Sequence, residues 1–189
     1  MIFDPRDTWV AIDFETATRH RSSACALGLA VIQDGRVVSQ REWLIRPPGN
    51  VYESMNTLIH GLRPVDTRRA PSFDAIWEEL RPYVAGRRIL AHSAAFDVSV
   101  LRALIASSRL EDLDASYACS CTMARRAFPH LENHQLPTVC SHCGIDLEHH
   151  DAGSDAAACA QIALRCRDAV GAATIQEALP ELGLELRRL

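Results

Sequence analysis

The chain has 189 residues, an apolar fraction of 48% and a formal net charge of −4 at neutral pH. These values fit one soluble domain with a proper core, and they argue against a broad basic surface for nucleic acid. The sequence has no apolar run as long as a membrane span, and its start lacks the pattern of a signal peptide. We therefore expect a cytoplasmic protein with no membrane partner.

The first part of the chain predicts a meander of three strands. Residues 9–15, WVAIDFE, form an apolar run that ends in acids, as in a buried strand. Residues 26–33 and 36–45 flank the pair Asp34-Gly35, which is a strong β-hairpin signal. The segment Pro47-Pro48-Gly49 ends the meander.

Helices and strands alternate in the rest of the chain. Apolar residues at helical spacing mark the longer helices. The predicted helices are 54–60, 73–84, 95–107, 121–127, 135–142 and 153–169, and the predicted strands are 88–92 and 115–119. A meander followed by this alternation predicts an α/β fold, in which helices cover a mixed sheet. We expect a single domain over residues 1–189, with a short tail at 171–189.

Four carboxylates and one histidine are candidate functional groups. Asp13 and Glu15 share one face at the end of the first strand, near the sheet edge where α/β folds place their sites. Asp97 lies in the first turns of a predicted helix, where an acid also compensates the helix dipole. Asp155 begins the last long helix, and His150 lies in the loop before it. Each residue taken alone has a structural interpretation at least as good as a functional one.

The set as a whole favours metal chemistry. Adjacent, partly buried carboxylates repel each other and stay ionised only beside a cation. Ligand sets made of oxygen alone suit Mg²⁺ or Mn²⁺, and a pair of such ions catalyses in-line phosphoryl displacement. A neutral histidine beside the attacking water is a suitable general base.

Three segments resemble the motifs of a known family. DFET at 13–16, HSAAFD at 92–97 and HHDAGSD at 149–155 match, in order and spacing, the exonuclease motifs of the DEDDh branch of the DnaQ-like 3′–5′ exonuclease superfamily. This superfamily includes the epsilon proofreading subunit of DNA polymerase III and ribonuclease T. The resemblance covers residues from about 8 to 170. It implies a ribonuclease H-like fold, with a five-stranded mixed sheet covered by helices on both faces.

The resemblance also assigns roles to the five candidate residues. Asp13, Glu15 and Asp155 would bind one of two Mg²⁺ or Mn²⁺ ions, and Asp13 would bridge to the second. Asp97 would contribute directly or through water, and His150 would deprotonate the attacking water. No organic cofactor is implied.

A second set of residues would hold the terminal nucleotide. The segment LIHGLRP at 58–64 resembles a stretch that lies beside the terminal base in the family, and a structural turn is the alternative interpretation. Ser93 is a departure, since many relatives have asparagine there. The nucleotide-binding residues implied by the resemblance are Phe14, Glu15, Thr16, His60, Gly61, Leu62, His92 and Phe96.

The implied activity is a metal-dependent 3′–5′ exonuclease that releases nucleoside monophosphates from a single-stranded or frayed 3′ end, with DNA favoured over RNA. One alternative is a catalytically idle nucleic-acid-binding scaffold of the same fold. Another is a zinc-binding interaction module built on four cysteines and nearby histidines, although zinc is disfavoured because the later pair lies at a helix end that needs small packing residues. Those cysteines are Cys119, Cys121, Cys140 and Cys143.

The biological role and the partners stay open. Proofreading, DNA repair and RNA trimming are all compatible with the motifs, as are a homodimer and an association with a DNA polymerase. The chain ends about twenty residues after the predicted catalytic domain, so we expect no long tail of the kind that holds a proofreading subunit to its polymerase. The arginine-rich loop 18–23, together with Arg125 and Arg126, could contact substrate phosphates or could simply be solvated.

Overall fold

A computed structural model describes residues 8–189. Its centre is a six-stranded mixed sheet in the order β3-β2-β1-β4-β5-β6. β1 pairs antiparallel with β2 on one side and parallel with β4 on the other, so its carboxyl end lies in the middle of a sheet edge. The strands are β1 (Thr8–Thr16), β2 (Ala24–Gln33), β3 (Arg36–Leu44), β4 (Arg88–Ala91), β5 (Ser116–Cys119) and β6 (Arg187–Arg188).

Helices pack on both faces of the sheet. Trp9 and Ala11 of β1 belong to a core with the long helix α7, while Val10 and Ile12 belong to a second core with α3 and α4. The alternation follows from the two-residue period of a strand. The helices are α1 (Ser54–His60), α2 (Pro64–Thr67), α3 (Phe73–Val84), α4 (Ala95–Ser107), α5 (Ser120–Ala127), α6 (Leu136–Cys143), α7 (Ala152–Ala169) and α8 (Ile175–Glu181).

The hairpin between β2 and β3 forms as its sequence predicts. Gln33 pairs with Arg36, which leaves Asp34 and Gly35 as a two-residue turn. Both turn residues have positive φ angles, 51° and 72°. A tight turn with two positive φ values suits asparagine, aspartate and glycine, because these residues tolerate the left-handed region.

The fold confirms the predicted α/β architecture, with one difference in the sheet. A sixth strand, β6, pairs antiparallel with Ser116 and Tyr117 of β5, so the prediction of five strands is one too few. β6 is only two residues long, and both are exposed arginines, so it carries no hydrophobic alternation that a sequence could reveal. Among residues 8–189, no helix combines the length and apolar character needed to cross a membrane.

Candidate active site

Three carboxylates converge at the carboxyl end of β1. Asp13, Glu15 and Asp155 each offer an oxygen atom, and these atoms all lie within 4.8 Å of one another. Asp13 and Glu15 share the face of β1 that packs against α7, and Asp155 lies in the first turn of that helix. The site therefore forms where one strand ends and one helix begins.

The start of α7 is fixed by local hydrogen bonds. The side chain of Asp151 accepts a hydrogen bond from the backbone N–H of Ser154 at 2.8 Å, which is a standard N-cap. The hydroxyl of Ser154 in turn accepts from the backbone N–H of Glu148, also at 2.8 Å. These contacts hold the loop 148–151 against the first turn of α7, so the position of Asp155 is set by its own helix start.

Asp97 approaches the same strand end from the other side of the sheet. It lies in the first turn of α4 and is almost fully buried. Its Oδ1 accepts a hydrogen bond from the backbone N–H of Phe14 at 3.0 Å, between the two acids of β1. Asp97 is therefore held next to the group of three, without belonging to the tight oxygen cluster.

Burial and mutual repulsion raise the pKa values of Asp13, Glu15 and Asp97. Burial, followed by repulsion from Asp97 and Asp155, raises the pKa of Asp13 well above its usual range. The same causes, with Asp155 ahead of Asp97, raise the pKa of Glu15 to about 8. Burial raises the pKa of Asp97 to about 7, although hydrogen bonding to Phe14 works against this shift. A divalent cation among these oxygens would relieve both the repulsion and the burial cost, so the donor set fits such an ion.

Two stacked histidines border the carboxylates. The rings of His149 and His150 lie 3.8 Å apart, with an angle of 20° between their planes. The backbone N–H of His150 donates to Asp155 Oδ2 at 3.1 Å, and His150 Nδ1 lies 3.8 Å from Glu15 Oε1. His150 has a φ of 72°, an unusual value outside glycine that turns the loop into the site.

His149 also contacts the cluster, which the sequence did not indicate. Its Nδ1 lies 3.1 Å from Asp155 Oδ2, although more than a third of its side chain is exposed. His149 therefore contacts the same carboxylate as His150. The HH pair was the signal in the sequence, but only the backbone turn at His150 brings both rings to the same carboxylate.

The end of β1 is tied to helix α1 by polar contacts. The carbonyl oxygen of Thr16 accepts from Asn56 Nδ2 at 2.8 Å and lies 3.2 Å from His60 Nε2. The backbone N–H of Leu62 donates to His60 Nδ1, so Nε2 carries the proton that is donated to Thr16. Gly61 ends the helix in the left-handed conformation. Thr16, His60, Gly61 and Leu62 thus lie together beside the acidic site, and Asn56 joins them without having been predicted.

On helix α1, polar side chains make the inward contacts and apolar side chains point outward. It has no buried residue, and its inward contacts come from the polar side chains Asn56 and His60. Three apolar side chains point outward, with exposed fractions of 67% for Met55, 78% for Leu58 and 51% for Ile59. Exposed apolar groups concentrated on one short helix at a site are typical of a binding surface.

The remaining predicted nucleotide contacts differ in their placement. Phe96 is partly exposed, and the guanidinium of Arg21, from the arginine-rich loop, lies 4.3 Å from its ring centroid. Phe14 is a core residue with 3% exposure, so its side chain packs in the core and its backbone is the part that faces the site. The different environments follow from strand alternation, which turns Phe14 away from its acidic neighbours.

His92 holds two segments of the protein together. Its Nε2 lies 3.0 Å from the carbonyl oxygen of His134, and its Nδ1 lies 2.9 Å from Ser120 Oγ. Both ring nitrogens are thus engaged within the protein. Burial lowers the pKa of His92 to about 4, so its imidazole is neutral at pH 7.

The cysteines do not form a metal site. Within the described part of the chain, the groups of three or more ligand side chains that could hold an ion consist of histidines and carboxylates alone. Cys140 is a core residue with 2% exposure, and Cys143 packs against the same core. The alternative of a zinc module built on these cysteines therefore lacks its ligand set.

The fold and the site define a class before any relative is considered. A ribonuclease H-like sheet with clustered carboxylates at the end of its central strand is the arrangement of a metal-dependent nuclease. The model of the exonuclease family RNase_T matches residues 10–163, and the chain belongs to this family. It is thus a nuclease of the DnaQ-like exonuclease superfamily, as its three motifs predict.

Two curated relatives are DNA polymerases. The chain is 24% identical over 146 residues to the DNA polymerase III PolC-type of Bacillus cereus, an overlap of 76% of this chain and 10% of the polymerase. It is 26% identical over 159 residues to the corresponding protein of Clostridium perfringens, with 82% of this chain and 11% of the polymerase covered. The chain thus spans about a tenth of the length of these relatives.

Solved structures share the fold. Exonuclease X in complex with 5′ overhanging duplex DNA superimposes with a TM-score of 0.70 and 20% identity, over 90% of this chain and 97% of that one. Exonuclease I gives a TM-score of 0.74 at 18% identity, over 86% of this chain and 41% of its own. An Escherichia coli exonuclease I complex with single-stranded DNA, in its zinc ion bound form, also gives 0.74.

Proposed function

We propose that this chain is a 3′–5′ exonuclease that hydrolyses the terminal phosphodiester bond of nucleic acid and releases nucleoside monophosphates. The observation that supports the proposal most directly is the convergence of Asp13, Glu15 and Asp155, with His150 against the same carboxylates. An idle scaffold would have no need of a buried carboxylate cluster, which is costly to keep without a cation.

Two Mg²⁺ or Mn²⁺ ions would be held by the carboxylates. The close oxygen atoms come from Asp13, Glu15 and Asp155. Asp97 lies next to them, because it accepts a hydrogen bond from the β1 backbone at Phe14. Ions bound there would supply neutralisation of the phosphate charge, activation of water and stabilisation of the leaving oxygen. The protein's own part is to fix the oxygens on a rigid strand and a capped helix, which limits their movement during the reaction.

His150 is the proposed general base. Burial and the neighbouring His149 lower the pKa of His150, although Asp155 works against them, so the imidazole is neutral near pH 7. Its Nδ1 faces Glu15, which leaves Nε2 as the atom that takes the proton from the attacking water. His149 is a positioning residue in this scheme, because it stacks on His150 and contacts Asp155.

The apolar face of α1 and the ring of Phe96 are the proposed contacts of the terminal nucleotide. His60 donates a hydrogen bond to the carbonyl oxygen of Thr16 and accepts one from the backbone N–H of Leu62. Because of these contacts, Leu62 and the outward side chains of α1 lie beside the end of the strand that carries the acids. An unpaired base can stack on such groups, with a stabilisation of about 1–3 kcal/mol per base. A base can reach them only when it is unstacked, which supports action on a single-stranded or frayed 3′ end.

DNA is the favoured substrate in this proposal. The two curated relatives described above are DNA polymerases of the PolC type, and exonuclease X is in complex with 5′ overhanging duplex DNA in its solved structure. We also propose a role in proofreading or DNA repair in the cytoplasm, with a DNA polymerase as one candidate partner. A homodimer is the alternative assembly, and light scattering of the purified protein tests for it.

A panel of 5′-labelled substrates tests the direction and the substrate class. Single-stranded DNA, duplex DNA with a mismatched 3′ end and RNA are each incubated with Mg²⁺, with Mn²⁺ or with EDTA. The proposal predicts a ladder of progressively shorter labelled products, fastest on DNA and absent in EDTA. Immediate release of the label as a mononucleotide would show the opposite direction, and equal rates in EDTA would exclude metal dependence.

A further inference from the structure

A large cavity adjoins the candidate active site. Its volume is about 810 Å³, and it lies at the carboxyl ends of β4 and β5. Its lining includes Ser93–Ala95, the segment directly before Phe96 and Asp97, and the C-terminal segment that contains Arg187. The carboxyl edge of parallel strands is where open α/β sheets place ligands, and the volume is within the range of small-molecule pockets.

The lining of this cavity is positively charged. Its charged residues are Arg125, Arg187 and Glu185, with a net formal charge of +1 in a chain whose total is −4. Both arginines are exposed, and neither guanidinium forms an ion pair or a hydrogen bond with another of residues 8–189. Two unpaired guanidiniums facing one cavity are suited to phosphate oxygens, which accept their paired N–H groups.

The uncharged part of the lining combines apolar, aromatic and polar groups. Leu184 and Leu186 contribute apolar surface, Tyr117 contributes a half-buried ring, and Thr122 contributes a hydroxyl group. A nucleotide has the matching division, with an apolar base at one end and a phosphate at the other. The metal-binding carboxylates do not line this cavity, so a phosphate here avoids their repulsion.

We propose that this cavity is a second nucleotide site, in which Arg125 and Arg187 bind the phosphate of a nucleotide outside the catalytic cluster. Two sources share this chemistry: the substrate strand beyond the terminal residue, and a free nucleoside monophosphate such as the reaction product. The first source rests on the proposed exonuclease function, because it needs a strand whose end reaches the carboxylates. The short strand β6 then has a role, since its pairing with β5 places Arg187 in the lining of the cavity.

The test compares two double variants. Arg125→Gln with Arg187→Gln removes both guanidiniums from the cavity. Arg165→Gln with Arg188→Gln removes the same charge from two other exposed positions, which do not line the cavity. Circular dichroism establishes that both proteins are folded. Binding of labelled oligothymidylates of increasing length is measured by fluorescence anisotropy in EDTA, and binding of dTMP is measured by calorimetry.

We expect the cavity variant to lose about tenfold in oligonucleotide affinity. The slope of log affinity against log salt concentration should become shallower by roughly 1.4, because two phosphate contacts are lost. If the strand is the source, only oligonucleotides above a minimum length lose affinity. If a free nucleotide is the source, dTMP binding is lost as well. Wild-type affinities in the cavity variant, an equal loss in the control, or no binding by the wild type would overturn the proposal. Because binding in EDTA needs no catalysis, a failure of the exonuclease assignment would be seen separately.

Discussion

The carbonyl oxygen of Ala152 occupies the space that a side chain at Gly28 would need. A Cβ atom added to Gly28 would lie 1.7 Å from that oxygen, an overlap with the backbone itself. Gly28 pairs directly with Asp13 across β2 and β1, and Ala152 begins the helix that carries Asp155. The missing side chain thus allows α7 to start against the sheet and brings together Asp13 and Asp155, two of the candidate metal ligands.

Replacing Gly28 by alanine should separate these acids. The new methyl group must push the start of α7 away, which we expect to cost about 1–3 kcal/mol of unfolding free energy and to weaken Mn²⁺ binding about tenfold or more. Urea unfolding and calorimetric titration of Mn²⁺ measure the two effects.

Ala30→Val provides the matched control. Ala30 is the next residue on the same face of β2, fully buried in the core with α7, but two residues farther from the site. The Ala30→Val variant should lose unfolding free energy through overpacking of the core and retain the Mn²⁺ affinity of the wild type. If both variants lose metal binding in proportion to stability, Gly28 is a packing residue alone.

Divalent ions should stabilise the folded protein through the carboxylate cluster. An ion that binds only the folded state at 100 times its dissociation constant adds about 2.7 kcal/mol. We expect Mn²⁺ to raise the Tm of the wild type and to leave the Tm of the Asp13→Asn variant nearly unchanged. Scanning calorimetry with and without EDTA makes the comparison, and an equal rise in Asp13→Asn would place the ion elsewhere.

Much of the fold and the site could be predicted because strong local signals coincide with tertiary packing. Asp34-Gly35 specifies a turn through its own backbone preferences, and the acids of β1 share a face by strand period alone. The contact of His149 with Asp155 could not be predicted, because it depends on the positive φ of His150. β6 was missed because two exposed arginines are a strand only through their pairing with β5.

The two histidines should differ in their effect on catalysis. His150→Gln removes the proposed base, and we expect kcat to fall by about 10²–10⁴-fold, the usual contribution of acid–base catalysis. His149→Gln loses a contact with Asp155 and the stacking, so a smaller fall in kcat with weaker Mn²⁺ binding is expected. Single-turnover release of mononucleotides at saturating Mn²⁺ separates these outcomes. A larger loss for His149→Gln would exchange their roles.

The stabilisation by His92 should depend on pH. Burial lowers its pKa from 6.5 to about 4 in the folded protein, so the unfolded chain binds the extra proton between these values. Stability from neutral His92 is therefore complete above pH 6.5 and declines as the pH falls toward 4, by at most about 3 kcal/mol.

His92→Gln isolates this contribution. The variant cannot titrate at position 92, while the carboxylates of the site titrate in both proteins. The difference in unfolding free energy between wild type and variant, measured by urea unfolding at pH 8 and pH 5, should be larger at pH 8. A difference that is the same at both values would contradict a buried neutral imidazole.

The carboxylate cluster is the proposed metal-dependent exonuclease site. The most direct test strips the protein of metal, returns Mn²⁺ and measures the release of mononucleotides from labelled single-stranded DNA. The wild type and Asp146→Asn, which changes an exposed acid outside the site, should both regain full activity with Mn²⁺. Asp13→Asn should remain folded and release nucleotides at least about a hundredfold more slowly. Wild-type release by Asp13→Asn, or full activity of the stripped protein without added metal, would contradict the account.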